Sequence, residues 1–154
     1  MTIGDLLDPG AVALRAGAPG KRQALWLFAD VGARVLGVYP YTTLDGLLER
    51  EAAGSTGVGD GVAIPHARIE GVDRVRAVVI RLDTPVIFDA VDEKPVDLMV
   101  ALFAPLDASA QHLRALARVA RVLRQQEIRS ALRQAKSADA IHVLLTQEAA
   151  STAA

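Results

Sequence analysis

The chain has 154 residues and a formal net charge of −1, with 51 % hydrophobic and 4 % aromatic residues. This length predicts one domain with an aliphatic core, and the near-neutral charge gives no electrostatic reason to expect nucleic acid or a lipid surface as a partner. The absence of cysteine excludes disulfides, thiolate zinc sites and cysteine nucleophiles.

The sequence contains no recognisable targeting or membrane segment. The start of the chain lacks the basic and apolar regions of a signal peptide. The longest apolar run, residues 98–106, is too short to span a bilayer and contains Pro105. We therefore expect a cytoplasmic protein that does not insert into a membrane.

The first half of the chain is predicted to contain two amphipathic helices. Apolar residues at helical spacing predict the first helix over Lys21–Leu36, which Gly37 ends. Thr42 or Thr43 is expected to cap the second helix, which runs to about Glu51. Two short elements are predicted ahead of these helices: a helical turn, Thr2–Leu7, and a strand, Ala11–Leu14.

The second half is predicted to contain strands followed by helices. The extended segments are expected at Arg76–Leu82, Val86–Phe88 and Val96–Phe103. The helices are expected from Ser109 to about Gln125, over Glu127–Ala135, and from a Ser137 cap to about Gln147. Residues 148–154 are expected to form a disordered tail. Because strands and helices are interleaved, the predicted fold class is α/β, a layered single domain.

The segment between the two halves, GSTGVGDGVAIPHAR at residues 54–68, has an unusual density of glycine. Glycine admits positive φ and lets the backbone approach another group closely. Val62–Ile64 has the character of a short buried strand, and Pro65 should end it because proline donates no backbone N–H. His66 is therefore expected at a strand end beside a glycine-lined loop. This arrangement suits a reactive imidazole facing an anion, whereas the strand end alone would suit a structural histidine.

His112 and Arg50 each allow a functional and a structural interpretation, whereas His142 has only a structural one. His112 lies near the start of a predicted helix, where the dipole and free N–H groups favour an anion, although an ordinary polar residue also fits there. Arg50 either satisfies carbonyl groups at its helix end or clamps a phosphoryl group. His142 is expected at the surface or half-buried. The basic residues along the long helix are expected to form a solvated outer face: Arg114, Arg121, Arg124 and Arg118.

Other known site motifs do not fit, because the residues or flanking elements that they require are missing. The Gly20-Lys21 pair lacks the first glycine and the hydroxyl residue of a P-loop. The glycine-rich segment leads into a predicted strand, whereas a dinucleotide-binding loop must lead into a helix. The sequence has no metal-ligand spacing and no nucleophile elbow. We therefore expect neither a metal nor another cofactor.

Residues 54–68 resemble the active-site signature of the enzyme IIA domains of the fructose/mannitol type (type 2) in the bacterial phosphotransferase system. Flanking segments also match in order and spacing: LLERE at 47–51, FDAVD at 88–92, PVDL at 95–98, and His112 with Leu113. The resemblance covers about residues 3–147 as one phosphotransferase system enzyme IIA type-2 domain. The FDAVD and PVDL segments are most similar to the nitrogen-regulatory branch.

The resemblance implies a fold and a set of site residues. The fold would be a mixed, largely parallel β-sheet flanked by helices in three layers. His66 would be phosphorylated on Nε2, with His112 as the second active-site histidine and Arg50 as the phosphate-stabilising guanidinium. Backbone N–H groups of the glycine-rich loop would hold phosphoryl oxygens. The phosphate-binding residues expected there are Ser55, Thr56, Gly57, Gly59 and Gly61.

The implied function is that of a phosphocarrier. An HPr-like phosphohistidine donor protein would phosphorylate His66, and the phosphorylation state would control regulatory target proteins. One alternative is a sugar-transport enzyme IIA that passes phosphate to a IIB domain for fructose or mannitol uptake. Another is a binding module in which His66 is not phosphorylated, because the family usually has glycine where Ala67 stands. If that position needs positive φ, alanine would cost about 1 kcal/mol.

Overall fold

The computed structural model describes the backbone of residues 1–152 and the side chains of residues 1–147. After a 3-10 turn at Gly4–Leu6, the helices α1 to α5 are Lys21–Leu36, Pro40–Ala52, Ser109–Leu123, Gln126–Gln134 and Ala138–Thr152. The strands β1 to β6 are Val12–Arg15, Gly57–Gly59, Val62–Ala63, His66–Arg68, Arg76–Val86 and Val96–Ala104. None of the described helices is long and apolar enough to cross a membrane.

All six strands join one sheet, and β6 is its centre. The order is β1-β5-β6-β3-β2, and β4 also pairs with β6. β1 is parallel to β5, and both β3 and β4 are parallel to β6. The pairs β5/β6 and β2/β3 are antiparallel. The predicted mixed, largely parallel sheet of a single α/β domain is therefore confirmed.

The sheet separates two apolar cores, which gives the predicted three layers. α1 and α2 pack on one face, whereas α3, α4 and α5 pack on the other. Alternate residues of a strand point to opposite faces, and β6 supplies both cores accordingly. Met99 and Phe103 lie in the first core, and Leu98 and Leu102 lie in the second. The run predicted to be apolar on both faces is thus the central strand.

Helix α1 matches its prediction at both ends, and α2 begins earlier than predicted. Gly37 ends α1 in the left-handed conformation, with φ of 74°. α2 starts at Pro40 with Tyr39 as its N-cap, so Thr42 and Thr43 lie inside the helix and the predicted threonine cap is wrong. Proline favours the first helical position because its fixed φ fits the helix and its missing N–H is not needed there.

The strand predicted at Val86–Phe88 does not exist as a separate element. β5 is longer than predicted and ends at Val86, opposite Val96 on β6. A register shift after Arg81 lets β5 continue beyond its predicted end. Phe88 lies in the following loop and is fully buried in the core beneath α1 and α2.

Helix α5 also extends past its predicted end. Its backbone continues to Thr152, five residues beyond Gln147. The predicted disordered tail therefore begins with residues that are helical in backbone. Residues 153 and 154 lie outside the described part of the chain.

The position of His66 depends on β3 and β4, which pair one after the other with the same edge of β6. Val62 lies opposite Leu98 and His66 opposite Leu102, so both strands keep the same offset from β6. Pro65 interrupts the pairing because it has no N–H, but its carbonyl still accepts a hydrogen bond from the Leu102 N–H at 2.9 Å. The short strand ends before Pro65 as predicted, and the chain resumes pairing with β6 at His66.

Candidate active site

The ring of His66 is half-buried and fixed through both nitrogens. Its Nδ1 lies 2.9 Å from the Ile64 carbonyl oxygen, and its Nε2 lies 3.0 Å from Nε of Arg50. An arginine nitrogen can only donate and a carbonyl can only accept. Nδ1 therefore carries the proton, and Nε2 of the neutral ring carries the lone pair. This tautomer presents Nε2 as the nucleophilic atom.

Arg50 reaches His66 from the last turn of α2. Its Nη1 donates to the Gly54 carbonyl at 2.8 Å, which fixes the guanidinium between the loop after α2 and the imidazole. The neighbouring Glu51 holds that loop in shape. Its carboxylate is 7 % exposed and accepts hydrogen bonds from the Thr56 N–H at 3.0 and 3.1 Å, from the Thr56 hydroxyl, and from Nζ of Lys21 at 3.1 Å.

His112 lies against His66 from the first turn of α3. The ring centroids are 5.4 Å apart and the planes meet at 78°. His112 is 8 % exposed, and its Nε2 is buried without a hydrogen-bond partner among the described residues. A buried polar atom without a partner is uncommon and costly. A ligand oxygen at this position would supply the missing partner.

These side chains line an open cleft between α2, β4 and α3. Its volume is about 640 Å³. The structure brings together all three residues predicted for the reacting centre, although they are far apart in sequence. The lining residues are Gly46, Glu49, Arg50, Ala53, His66, Ala67, Arg68, Ser109, His112, Leu113 and Leu116.

Both imidazoles are disposed to remain neutral. Burial is the main cause that lowers the pKa of His66, and the nearby charge of Arg50 lowers it further. The Ile64 carbonyl and the Glu51 carboxylate act in the opposite direction. The pKa of His112 is also lowered, first by burial and then by His66 and Arg68. A neutral imidazole is the form that can attack phosphorus, so these shifts favour a nucleophile at neutral pH.

The predicted phosphate-binding residues do not line this cleft. The Ser55 hydroxyl donates to the Phe88 carbonyl at 2.9 Å and accepts from the Gly57 N–H at 3.1 Å. Thr56 donates both its N–H and its hydroxyl to Glu51. The hydroxyl groups of both residues and the N–H of Thr56 are therefore engaged in holding the loop.

The three predicted glycines belong to the β2–β3 hairpin. Asp60 and Gly61 form its turn with φ of 58° and 77°, as in the tight hairpin turns that favour Asp-Gly. A Cβ on Gly57 would lie 2.7 Å from Cβ of Ala90. A Cβ on Gly59 would approach Asp92 at 3.5 Å, so this glycine also lies outside the cleft. The glycines permit tight turning and close packing of the hairpin, and phosphate binding by these residues stays a prediction.

The alanine after His66 is accommodated without strain. Ala67 is part of β4 and is absent from the non-glycine residues with positive φ. Gly46 on α2 leaves room for the methyl group of Ala67, since a Cβ added to Gly46 would lie 3.3 Å from Cβ of Ala67. The doubt that Ala67 raised about the geometry of the site therefore has no basis in the backbone.

Arg68, the basic residue at the end of the segment that resembles the family signature, was given no role from the sequence, and it lines the cleft. It follows His66 by two positions on β4, and this alternation is a signal that places both side chains on one face of a strand. His142 lies on α5, outside the cleft lining, and is half-buried. On α3, Arg114, Arg121 and Arg124 are exposed as predicted. No group of three or more His, Asp or Glu side chains in the described part of the chain could hold a metal ion.

Comparisons with known proteins agree with this architecture. The family model described as "Phosphoenolpyruvate-dependent sugar phosphotransferase system, EIIA 2" matches residues 5–148. A nitrogen regulatory protein of Bradyrhizobium diazoefficiens is 40 % identical over 153 residues, which are 99 % of this chain and 100 % of that protein. The crystal structure of nitrogen regulatory protein IIA-Ntr from Neisseria meningitidis has a TM-score of 0.86 and 34 % identity over 93 % of this chain and 98 % of that one.

A more distant likeness concerns the fold alone. The mannitol enzyme IIA from Escherichia coli, solved in a complex with phosphorylated enzyme IIB, is 20 % identical with a TM-score of 0.73 over 89 % of this chain and 94 % of that one. The nitrogen regulatory proteins are thus more similar to this chain in both sequence and structure. Since the family model covers residues 5–148, the chain belongs to the type-2 enzyme IIA family of the phosphoenolpyruvate-dependent sugar phosphotransferase system.

Proposed function

We propose that this protein accepts a phosphoryl group on Nε2 of His66 from an HPr-like phosphohistidine donor protein and controls partner proteins through its phosphorylation state. The observation that carries the proposal is the neutral His66 ring, with Nδ1–H on the Ile64 carbonyl and Nε2 toward Arg50 in an open cleft. In the step, the Nε2 lone pair forms a P–N bond, and the donor's P–N bond breaks. The electron pair of that bond returns to the donor imidazole.

Arg50 and His112 supply the electrostatic part of the mechanism. Phosphoryl transfer has a loose transition state with charge on three equatorial oxygens, so positioning and charge stabilisation provide the catalysis. As Nε2 attacks, Arg50 releases its hydrogen bond to this atom and donates to a phosphoryl oxygen. His112, as the tautomer with its proton on Nε2, donates to another oxygen. The exchange between two imidazoles of similar basicity is close to thermoneutral and therefore reversible.

The regulatory part of the proposal is supported by the nitrogen regulatory relatives. A phosphoryl group adds between one and a half and two negative charges at about pH 7. Near the cleft lie Leu106 and Leu113, which are 60 % and 67 % exposed. A partner that covers these leucines must accommodate or reject the new charge, so its affinity differs between the two forms. This activity would take place in the cytoplasm.

The test is phosphorylation by the purified components. The protein is incubated with phosphoenolpyruvate, enzyme I and an HPr-like donor, and its intact mass is measured. We expect one phosphoryl group, labile in acid and stable in base as a P–N bond requires. His66→Ala should abolish the mass increase, whereas the matched control His142→Ala, outside the cleft, should retain it.

Two results would contradict the proposal. Labelling that persists in His66→Ala would assign the phosphoryl group to another residue, and an unlabelled parent protein would indicate a binding module. A third result would change the biological role. If the phosphoryl group passes to a IIB protein and is lost only when fructose or mannitol is present, the protein serves sugar transport.

A further inference from the structure

Arg68 places a second guanidinium on the same side of the sheet as His66. The two residues are separated by one position on β4, so their side chains project to the same face. Both line the cleft between α2 and α3. Arg50 approaches the cleft from α2, whereas Arg68 crosses toward the start of α3. The two guanidinium groups therefore approach the site from different elements.

The hydrogen-bond partners of Arg68 are neutral. Its Nη2 donates to Oγ of Ser109 at 2.7 Å, and its Nη1 lies 3.5 Å from the Leu106 carbonyl oxygen. No described carboxylate lies within salt-bridge distance of it. Arg76, by contrast, pairs with Asp8 and Asp73. The positive charge of Arg68 thus remains uncompensated beside the cleft.

The charge of Arg68 acts on the same atoms that would surround a phosphoryl group. It is one of the causes, after burial and His66, that lower the pKa of His112. His112 also has the buried Nε2 without a partner among the described residues. An unpartnered buried polar atom and an uncompensated guanidinium on one cleft both indicate a place for an anion.

We infer that Arg68 is a second phosphoryl-binding arginine, and that it exchanges its hydrogen bond to Ser109 for one to a phosphoryl oxygen when His66 is phosphorylated. The inference rests on the proposed function. The guanidinium bond to Ser109 has one ionised partner, whereas a bond to a phosphoryl oxygen joins two opposite charges and can be bidentate. The phosphoryl group therefore competes successfully with the Ser109 hydroxyl. No covalent bond changes in this exchange.

The exchange also transmits the phosphorylation state to the surface. The Arg68 guanidinium no longer donates to Ser109, the first residue of α3, or to the carbonyl of Leu106. Leu106 and Leu113 are both largely exposed and flank this point. The hydrogen bonding of residues 106–109 consequently differs between the two forms. A partner that docks on these leucines can detect the difference without touching His66.

The experiment compares the parent protein with Arg68→Gln, Arg68→Lys and the matched control Arg121→Gln, an exposed arginine on α3 outside the cleft. Quenched-flow phosphorylation by the donor should be about tenfold slower in Arg68→Gln, since one partly exposed donor contributes less than the roughly 100-fold of an enclosed one. The phosphorylated form should also hydrolyse faster. Arg68→Lys should recover part of both effects because it keeps the charge without the fork.

A second measurement separates binding from a merely structural role. Amide chemical shifts of Leu106 and Ser109 are recorded before and after phosphorylation of His66 with phosphoramidate, which needs no donor protein. We expect shifts at both amides in the parent and in Arg121→Gln, and their loss in Arg68→Gln. The unphosphorylated spectra of all variants report whether each one is folded.

The outcomes distinguish this inference from the proposed function. If the donor fails to label the parent protein, the proposed function is wrong, and the phosphoramidate arm still decides the role of Arg68. If the parent is labelled but Arg68→Gln matches it in transfer rate, hydrolysis rate and amide shifts, the assignment of Arg68 is wrong and the phosphocarrier remains.

Discussion

The two ends of β6 use arginine in opposite ways. At the end near Val96, Arg133 donates to both carboxylate oxygens of Asp97, at 2.9 to 3.3 Å, and to the Asp60 carbonyl at 2.6 Å. At the end near Ala104, Arg50 donates to His66 and to the Gly54 carbonyl, and no described carboxylate pairs with it. Arg133 is thus neutralised by an acid, whereas the charge of Arg50 has no described carboxylate beside it.

The glycines follow the same division. Gly61 is required at the Val96 end, because an added Cβ would lie 2.5 Å from Nη2 of Arg133 and 2.9 Å from Oδ1 of Asp97. The cleft end contains Gly46, which receives the methyl group of Ala67. The glycine-dense hairpin is thus a structural support for the far end of the sheet.

Arg50→Gln is expected to have the largest effect on transfer among the cleft substitutions that keep His66. It removes a positioned donor from the transition state, which typically costs on the order of 100-fold in rate. The matched control is Arg133→Gln at the opposite end of β6. It should leave the transfer rate within about twofold but lower the thermal stability, since Asp97 and the Asp60 carbonyl lose their partner.

Equal transfer rates for Arg50→Gln and Arg133→Gln would remove the distinction between the two ends. Quenched-flow phosphorylation with saturating donor measures the rates, and calorimetric unfolding measures the stability. His66 should still be the modified residue in both variants. Peptide mapping at alkaline pH, where the P–N bond is stable, can verify this.

His112→Ala should slow phosphorylation of His66 by at least about tenfold. The ring contacts His66 edge-on and has a buried Nε2 that a phosphoryl oxygen can satisfy. Its loss removes a stabiliser of the developing charge. Because the same contact would hold the phosphorylated ground state, the rate of back transfer should change as well. A mutant rate equal to that of the parent would show that His112 is only a residue of the first helical turn.

Periodic elements could be predicted from sequence, whereas the short strands could not. α1 has regular apolar spacing and a glycine stop, and its bounds were predicted correctly. β2 consists of Gly57–Gly59, and glycine has little intrinsic preference for strands. Pairing with β3 and a hydrogen bond from the Val91 N–H to the Gly57 carbonyl at 3.2 Å hold it in place. These contacts are tertiary, so local sequence does not encode them.

The members of the candidate site were predictable, but their contacts were not. The resemblance to type-2 enzyme IIA domains singled out Arg50, His66 and His112, and the structure places them together. It also suggested a phosphate-binding role for the glycine-rich segment, because glycine density indicates a tight backbone without indicating what that backbone approaches. The common offset of β3 and β4 along β6 is set by tertiary pairing. It directs His66 to the cleft and the hairpin to the other end of the sheet.

Gly61→Ala should lower the free energy of unfolding and leave the phosphorylation rate unchanged. Its φ of +77° is unfavourable for alanine, and the added Cβ would displace the Arg133 guanidinium. The positive φ alone costs about 1–2 kcal/mol. Urea unfolding measures the loss, and phosphorylation below the transition should proceed at the parent rate. A transfer defect in folded Gly61→Ala would connect the hairpin to the site and contradict the division of the sheet.

The smallest expected effect is a pH dependence of the unfolding free energy that comes from the two histidines of the cleft. The pKa values of His66 and His112 are lowered from 6.5, mainly by burial. In the folded protein both rings therefore stay neutral at a pH where the unfolded chain is already protonated. Their contribution to stability is fully present above pH 6.5 and is lost as pH falls through 6.5 toward the lower folded pKa values. The pH dependence of the unfolding free energy between pH 5.5 and 7.5 should hence be weaker in His112→Ala than in the parent, and unchanged in Arg133→Gln. Ring-proton titration by NMR checks the cause directly. In Arg50→Gln, the pKa of His66 should rise, since the neighbouring charge that lowers it is gone.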